Sequence, residues 1–544
     1  MRDYVQDQWA PLAHIPELTE NRRPSSAIAP TWIDDHDTRR ITAYRVLSAM
    51  RDNTRRYWLP DSMWAREVRG RGQGLDISEA PAASYREYGD AGLLVDTARA
   101  LLLGDDQTIA WPDKTPEAFQ TWLTEWVLKE RLEQKLLEGE ENAIGDGDGV
   151  FVLGWSTPKA RPTLRVYDPG FYFPDTVTPV PGWEDDEFPP IVHIAWEWLD
   201  TDGKTWIRRQ TWRLVPLTGT VPAPWGGPRS WTCLYRSVDY DASERLPKAD
   251  VYSPELTTKP HRRVLTGGDA DGDGWVDMGV DFIPVVHVPN DASTQRTFGT
   301  SLLTRIAQIL DDISNTDTDL AAASQTAAPA LVTTGVPAGG LEGGAGQQWA
   351  MPAESTAGYL DTSKNLTALR EFSGDLLDRL ATNSRLALAL LGRVQPNDVP
   401  SGYALSLGFQ PARQLLREMR TVRDEKYPLI LKFAMRLAQA YEVLPAAETP
   451  AATIELGTAL PSDLPVAIDM VKDLLPAHAI STPTAVRVLQ RAGLPIDDAE
   501  DEVAAIKQEW FDQAVKLVEA TGNVGAAAAL LGVQPATTGA EATE

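Results

Sequence analysis

From about Gly149 to His287 the chain is written as strands, and on both sides of that block as helices. The runs GVFVLGW, TLRVYDPGFYFP, IVHIAWEWLD, WIRRQTWRLV, CLYRSV and FIPVVHV are short and rich in β-branched and aromatic residues. Two of them flank DTDGKTW, whose Asp202-Gly203 pair suits a tight turn, and the hairpin so predicted carries Trp196, Trp198, Trp206 and Trp212. Strands gathered in one block between helical stretches predict an α+β arrangement.

Ahead of that block, residues 1–30 read as an irregular arm. Asp37–Asn53 places Ile41, Tyr44, Val46, Leu47 and Met50 mostly on one helical face. YGDAGLLVDTARALLLGDD does the same with Leu93, Leu94, Ala98, Leu101 and Leu102, and Gly104 marks its end. Thr115–Gly145 reads as one long helix, with Thr115 as cap, Pro116 at the first position and Gly145 at the stop.

Beyond Pro289 the helical period returns. Leu302, Leu303, Ile306, Ile309, Leu310, Ile313 and Leu320 keep helical spacing, and the other side carries Asp311, Asp312, Asp317 and Asp319. Gly335–Trp349 is glycine-rich loop. A second helix over Leu369–Gly392 runs into a short segment bounded by Pro396 and Pro400, which stop either neighbouring helix from continuing through it. An arginine-rich helix then reaches about Tyr441. The last helical block has starts at Ser462 and Thr482 and a final helix over Asp498–Thr521, and 523–544 reads as a disordered tail.

The formal net charge is −26. A protein that grips DNA needs a basic surface to neutralise phosphates, so nucleic acid is either no partner or one that must not be held. No apolar run is long enough to span a membrane, the N-terminus lacks a secretory pattern, and Cys233 is the only cysteine, which fits assembly in a cytosol.

Catalytic signatures are missing. Asp269, Asp271, Asp273, Gly274 and Asp277 fall on EF-hand loop positions, but Val280 stands where the bidentate Glu belongs and both flanks are strand-like. The favoured reading is an acidic β-turn, and the alternative is a calcium-binding extracellular or adhesion protein. DGKT lacks the upstream glycine of a phosphate loop, which falls at Trp198. The histidines show no metal-ligand spacing, and His193 and His287 read as buried, bonded strand residues. A carbohydrate-active enzyme, suggested by the tryptophan-rich block, offers no nameable acid and base pair. The expectation is therefore no enzyme activity, no cofactor and no metal. Arg413, Arg417, Arg420 and Arg423 share one helix face and read as a contact with phosphates or with an acidic neighbouring subunit, the second favoured in a chain this acidic, with a solvated face paired locally to Glu418, Asp424 and Glu425 as the alternative.

The order of these elements resembles the portal proteins of tailed bacteriophages, particularly long-tailed phages of actinobacteria. The likeness is carried by REYGDAGLLVDTARALLLGDDQTI (Arg86–Ile109), GDGVFVLGW (Gly147–Trp155), RVYDPGFYFP (Arg165–Pro174), FGTSLLTRIAQILDDISNTDTDLAAAS (Phe298–Ser324) and SGYALSLGFQPARQL (Ser401–Leu415). It implies an α+β portal fold with a β-rich wing, a two-helix stem, a short clip and a helical crown. The wing would span 1–297, helical to about 145 and β-rich over 146–297. The stem helices would cover 298–328 and 368–391, with the glycine-rich clip at 329–367 between them. A tunnel loop would follow at 392–401, then a long wing helix at 402–445 and the crown at 446–522.

The resemblance further implies a homo-oligomeric ring, typically of roughly twelve copies, at one capsid vertex of the virion, assembled in the host cytoplasm. Double-stranded DNA would pass through it during packaging and ejection. Implied partners are the terminase large subunit, a head–tail adaptor, and the major capsid and scaffold proteins, with no membrane. The tunnel loop would comprise Gln395, Pro396, Asn397, Asp398, Pro400, Ser401 and Gly402, polar and small but not basic, because each Lys or Arg on a phosphate adds affinity. Asp311, Asp312, Asp317 and Asp319 are the candidates for the channel lining, against a solvated outer face of the stem helix.

Overall fold

The computed structural model describes residues 8–12, 32–33, 35–54, 86–105, 107–112, 114–176, 178, 180, 188–241, 251–252, 262–263, 274–291, 293, 296–326, 330–334, 356–360, 363–392, 407–457, 464–477, 479–491, 494, 496, 498–522 and 524. The chain divides into two compact units, Met1–Gly457 and Thr458–Glu544.

The first unit opens with α1 (Asp35–Arg51) and α2 (Asp90–Leu103), followed by β1 (Gln107–Ala110), α3 (Glu117–Glu130) and α4 (Leu132–Asp146). Ile41, Tyr44, Val46, Leu47 and Met50 are all buried on α1, as their spacing predicts, whereas Leu93 of α2 faces out at 44% exposure. The expected single helix over 115–145 is two. Arg131 takes a left-handed conformation (φ 54°, ψ 54°) between them. The break changes the phase of the apolar stripe. Phe119, Leu123 and Trp126 bury on α3, and a continuous helix would put position 130 next. The second stripe instead starts at Leu132 and continues through Leu136 and Ala143. Glu130, left at the break, is buried against Lys135, Arg161 and the Leu164 N–H. Thr115 does not cap α3. Its hydroxyl donates to the Pro112 carbonyl, and Pro116 holds the N-cap position.

The β-block supplies two sheets. β2 (Asp148–Ser156) is the centre of a three-stranded antiparallel sheet, between β3 (Arg161–Tyr167) and β10 (Val285–Pro289). The larger sheet runs β4 (Tyr172–Asp175), β5 (Ile191–Leu199), β6 (Thr205–Pro222), β7 (Pro228–Asp241) and β8 (Arg262–Arg263), with β9 (Val276–Asp277) also on β7. The predicted hairpin is β5–β6, with Trp198 opposite Trp206. Asp200 holds its turn by accepting from the backbone N–H groups of Asp202 and Lys204 and from Trp206 Nε1. α4 lies so close on β2 that a Cβ at Gly139 would come within 2.1 Å of the Phe151 ring.

After a 3-10 turn (Leu302–Arg305) come α5 (Ala307–Thr326), β11 (Ala330–Thr334), β12 (Thr356–Leu360) and α6 (Ser363–Ser384). The strands pair antiparallel between the two helices, within the segment expected to be the clip. α6 starts earlier and stops earlier than the expected 368–391, with Arg385 left-handed (φ 61°) just beyond it. α7 (Gln410–Ala440) then returns to the body, packing on β10, β2, β3, α2 and α3. Pro428 removes one donor from the middle of α7, yet Tyr427, Ile430 and Leu431 beside it are fully buried, so packing rather than intrinsic propensity holds this turn. β13 (Thr453–Leu456) pairs with β1, and 446–457 belongs to the first compact unit.

The second unit contains α8 (Leu464–Leu474), α9 (Thr482–Arg491) and α10 (Ala499–Thr521). Its last helix matches expectation, with Asp498 accepting from the N–H groups of Glu500 and Asp501 and Gly522 closing it. Ser481 rather than Thr482 caps α9, and Ser462 lies outside the described residues.

Candidate functional site: a helical hairpin and its buried polar root

α5 and α6 pack as an antiparallel pair. Ile306, Ala307, Leu310 and Ile313 bury one side of the first arm, and Leu376 and Leu380 bury the second. The four aspartates do not form a single stripe. Asp312 and Asp319, seven residues and so about two turns apart, share an exposed face. Asp317 is half-buried at the contact between the arms, where its carboxylate accepts from Ser373 Oγ at 3.3 Å. Asp311 is also half-buried. α5 contains no Lys or Arg, whereas α6 balances Lys364, Arg370 and Arg379 against Glu371, Asp375 and Asp378. The acidic excess of the hairpin therefore lies on α5.

The hairpin is joined to the body through buried polar groups. Asp148, the first residue of β2, accepts from Tyr44 Oη of α1, from His287 Nε2 of β10 at 2.7 Å and from the Gly299 N–H at 2.8 Å. Burial and the neighbouring Asp148 hold the Tyr44 phenol well above its ordinary range. Gly147, at φ 119°, touches Gly299 so closely that a Cβ on Gly299 would stand 2.2 Å from the Gly147 carbonyl oxygen. Ser301 Oγ donates to the Gly145 carbonyl at 2.5 Å and accepts from the Leu303 N–H, opening the turn that leads into α5. Asp146, immediately before Gly147, accepts from Ser48 Oγ at 2.8 Å and pairs with Arg51 at 3.4 Å. Burial pushes its carboxyl up to about 7, against the pull of Arg51.

The arginine stripe is split by the packing. Arg413 and Arg417 are exposed, Arg420 is half-buried with its guanidinium turned onto backbone carbonyls, and Arg423 is fully buried, which takes Arg423 off the expected outer face. Arg420 donates from Nε and Nη2 to the Leu102 carbonyl, at 3.0 and 2.7 Å, and from Nη2 to the Gly457 carbonyl at 2.7 Å, closing the C-terminus of α2. Arg423 is fully buried and grips Glu140 of α4 with both arms, Nε to Oε1 at 3.0 Å and Nη2 to Oε2 at 2.7 Å. Its Nη1 reaches the Asn290 carbonyl at 2.8 Å, and Tyr427 Oη donates to Glu140 Oε1. Burial opposes the charge of Arg423, and Glu140 more than restores it. One network thus ties α7 to α4 and to the segment between β10 and α5. The exposed Arg385–Glu418 pair, at 2.8 Å, adds a link between the end of α6 and α7.

The tunnel-loop residues Gln395, Pro396, Asn397, Asp398, Pro400, Ser401 and Gly402 lie outside the described residues, as do Asp269, Asp271 and Asp273. Asp277, from the acidic turn, accepts from Thr232 Oγ1 and from the Gly279 N–H at 2.8 Å. Among the described residues no group of three or more His, Cys, Asp or Glu side chains is placed to hold a metal ion. His193 is buried, its Nδ1 2.9 Å from Thr211 Oγ1, and burial with Arg209 nearby drives its pKa down to about 3. Burial likewise pushes the Cys233 thiol up. Sequence reasoning missed Glu140, Asp148 and the inward turn of Arg420 and Arg423. A signal existed for Arg423, which stands between Met419 and Tyr427 at steps of four in an otherwise apolar stripe.

No protein-family model matches the chain, and no curated protein matches it.

Proposed function

We propose that the chain is a portal subunit: it forms a ring at the unique vertex of a phage capsid, conducts double-stranded DNA during packaging and ejection, and joins head to tail. The observation that carries this reading is the α5–α6 hairpin, closed by the β11–β12 pair and rooted in a β-rich body to which the following long helix, α7, returns. In this reading the hairpin is the stem, the strand pair begins and ends the clip, and the second unit contributes the crown. A headful of DNA pulled past a stem loads its root. The Asp148 and Glu140–Arg423 networks suit that load because each ties several elements together through groups that cannot separate without stranding a buried charge.

The charge pattern fits a conduit rather than a grip. The net charge is −26 and α5 bears acid without base, so a phosphate backbone facing it is repelled instead of held. Asp312 and Asp319 are the channel-lining candidates. Arg413 and Arg417 are the candidates for pairing with an acidic neighbouring copy. The terminase large subunit, a head–tail adaptor, and the capsid and scaffold proteins are the partners this role requires. Negative-stain microscopy of the purified chain tests the reading: rings with a central hole are expected, and a population of compact monomers under assembly conditions would overturn it.

A further inference from the structure

We propose that a pocket between α1, the 3-10 turn Pro169–Phe171 and β5 is a binding site for an organic cation of the guanidinium or alkylammonium class. Its volume is about 140 Å³, close to the roughly 150 Å³ of an apolar cavity that accepts benzene. It therefore suits the tip of a basic side chain or a small free cation. The walls are aromatic: Trp32 ahead of α1, Phe171 from the turn and Trp196 from β5. Phe171 and Trp196 stand 6.1 Å apart with their planes tilted by 31°. Ring faces of this kind attract a desolvated cation through the quadrupole, and a guanidinium stacks on them as well.

Two exposed carboxylates, Asp168 and Glu197, border the same space. Each is fixed through one oxygen. Glu197 Oε1 accepts from Trp32 Nε1 at 2.7 Å, and Asp168 Oδ1 accepts from the Gly170 N–H at 2.7 Å. The second oxygen of each takes no hydrogen bond among the described residues, so both carboxylates are oriented yet keep acceptor capacity. Arg45 is the one positive side chain among the lining residues, and it makes an interaction of its own within the protein. Carboxylates and aromatic faces around a space of side-chain size select for positive charge. A neutral ligand of the same shape keeps the apolar contact and its N–H hydrogen bonds but lacks the attraction of a full positive charge to the carboxylates and the rings.

The test is ligand-observed NMR on the full chain, with butylguanidinium and its neutral isostere butylurea as probes, and with a short peptide carrying one arginine between glycines. Saturable binding of butylguanidinium at least fivefold tighter than butylurea is expected. The double variant Asp168→Asn with Glu197→Gln should erase that preference, because each amide keeps the oxygen that accepts from Gly170 or Trp32 while the charge is lost. A peptide that binds more tightly than butylguanidinium assigns the site to a partner protein's basic side chain, and equal affinities assign it to a free cation. Equal binding of the charged and neutral probes to the unmodified chain, or no binding of either, would overturn the proposal without reference to any variant.

Discussion

Arg423 and Glu140, 283 residues apart in the chain, meet as a fully buried two-armed ion pair, with Tyr427 and Asn290 completing the hydrogen bonds. Such a pair contributes little over an apolar replacement, but breaking it strands a charge. Arg423→Ala should therefore destabilise the first unit by about 3–5 kcal/mol, whereas exposed Arg417→Ala should stay within about 0.5 kcal/mol. Denaturant unfolding of the three proteins checks this, and equal midpoints for Arg423→Ala and the unmodified chain would refute it.

Arg420 closes the last turn of the helix Asp90–Leu103 from another part of the chain. Its removal leaves the Leu102 and Gly457 carbonyls without this donor. Arg420→Ala should cost about 1–3 kcal/mol and speed amide exchange at the end of that helix and in the strand Thr453–Leu456. Exchange confined to other regions would show that the contact is not a cap.

Asp146 sets a pH dependence. Its folded pKa of about 7 lies above the ordinary aspartate value, so between those limits the folded state holds a proton that the unfolded chain does not. This stabilisation is full at pH below about 4 and is lost as pH rises through about 7. His193, depressed to about 3, works in the opposite sense, costing stability as pH falls below its ordinary value near 6.5. The two are separated by comparing the chain with Asp146→Asn, which keeps an acceptor for Ser48 Oγ. The unmodified protein should lose stability relative to the variant between pH 5 and pH 8, and parallel profiles would sink the assignment.

Asp312 and Asp319 share the exposed face of the acidic arm. If the proposed conduit is correct, changing both to Lys adds phosphate contacts along the path. Packaging should slow, and DNA retention by assembled particles should gain a salt dependence steeper by about one charge per lysine engaged. Packaging at the unmodified rate in low salt would remove this face from the channel.

Local chemistry made the α+β class, the hairpin at Asp202-Gly203 and the helices around Tyr44 and after Asp498 legible in the sequence. In each, a turn residue, a cap or an apolar period acts within a few residues of where it is written. Phase decided the break at Arg131, because only the surfaces on which α3 and α4 lie determine which stripe each must bury. The same holds for the arginine stripe. Spacing put four basic residues on one face, but only the fold brought Glu140 and the end of α2 against two of them. The sequence by itself determined the element types, the order of helical and strand blocks and the acid excess. Tertiary structure alone decided which partners meet the buried charges: the apolar stripe around Arg423 marks its burial, but nothing local points to Glu140, 283 residues away on another helix.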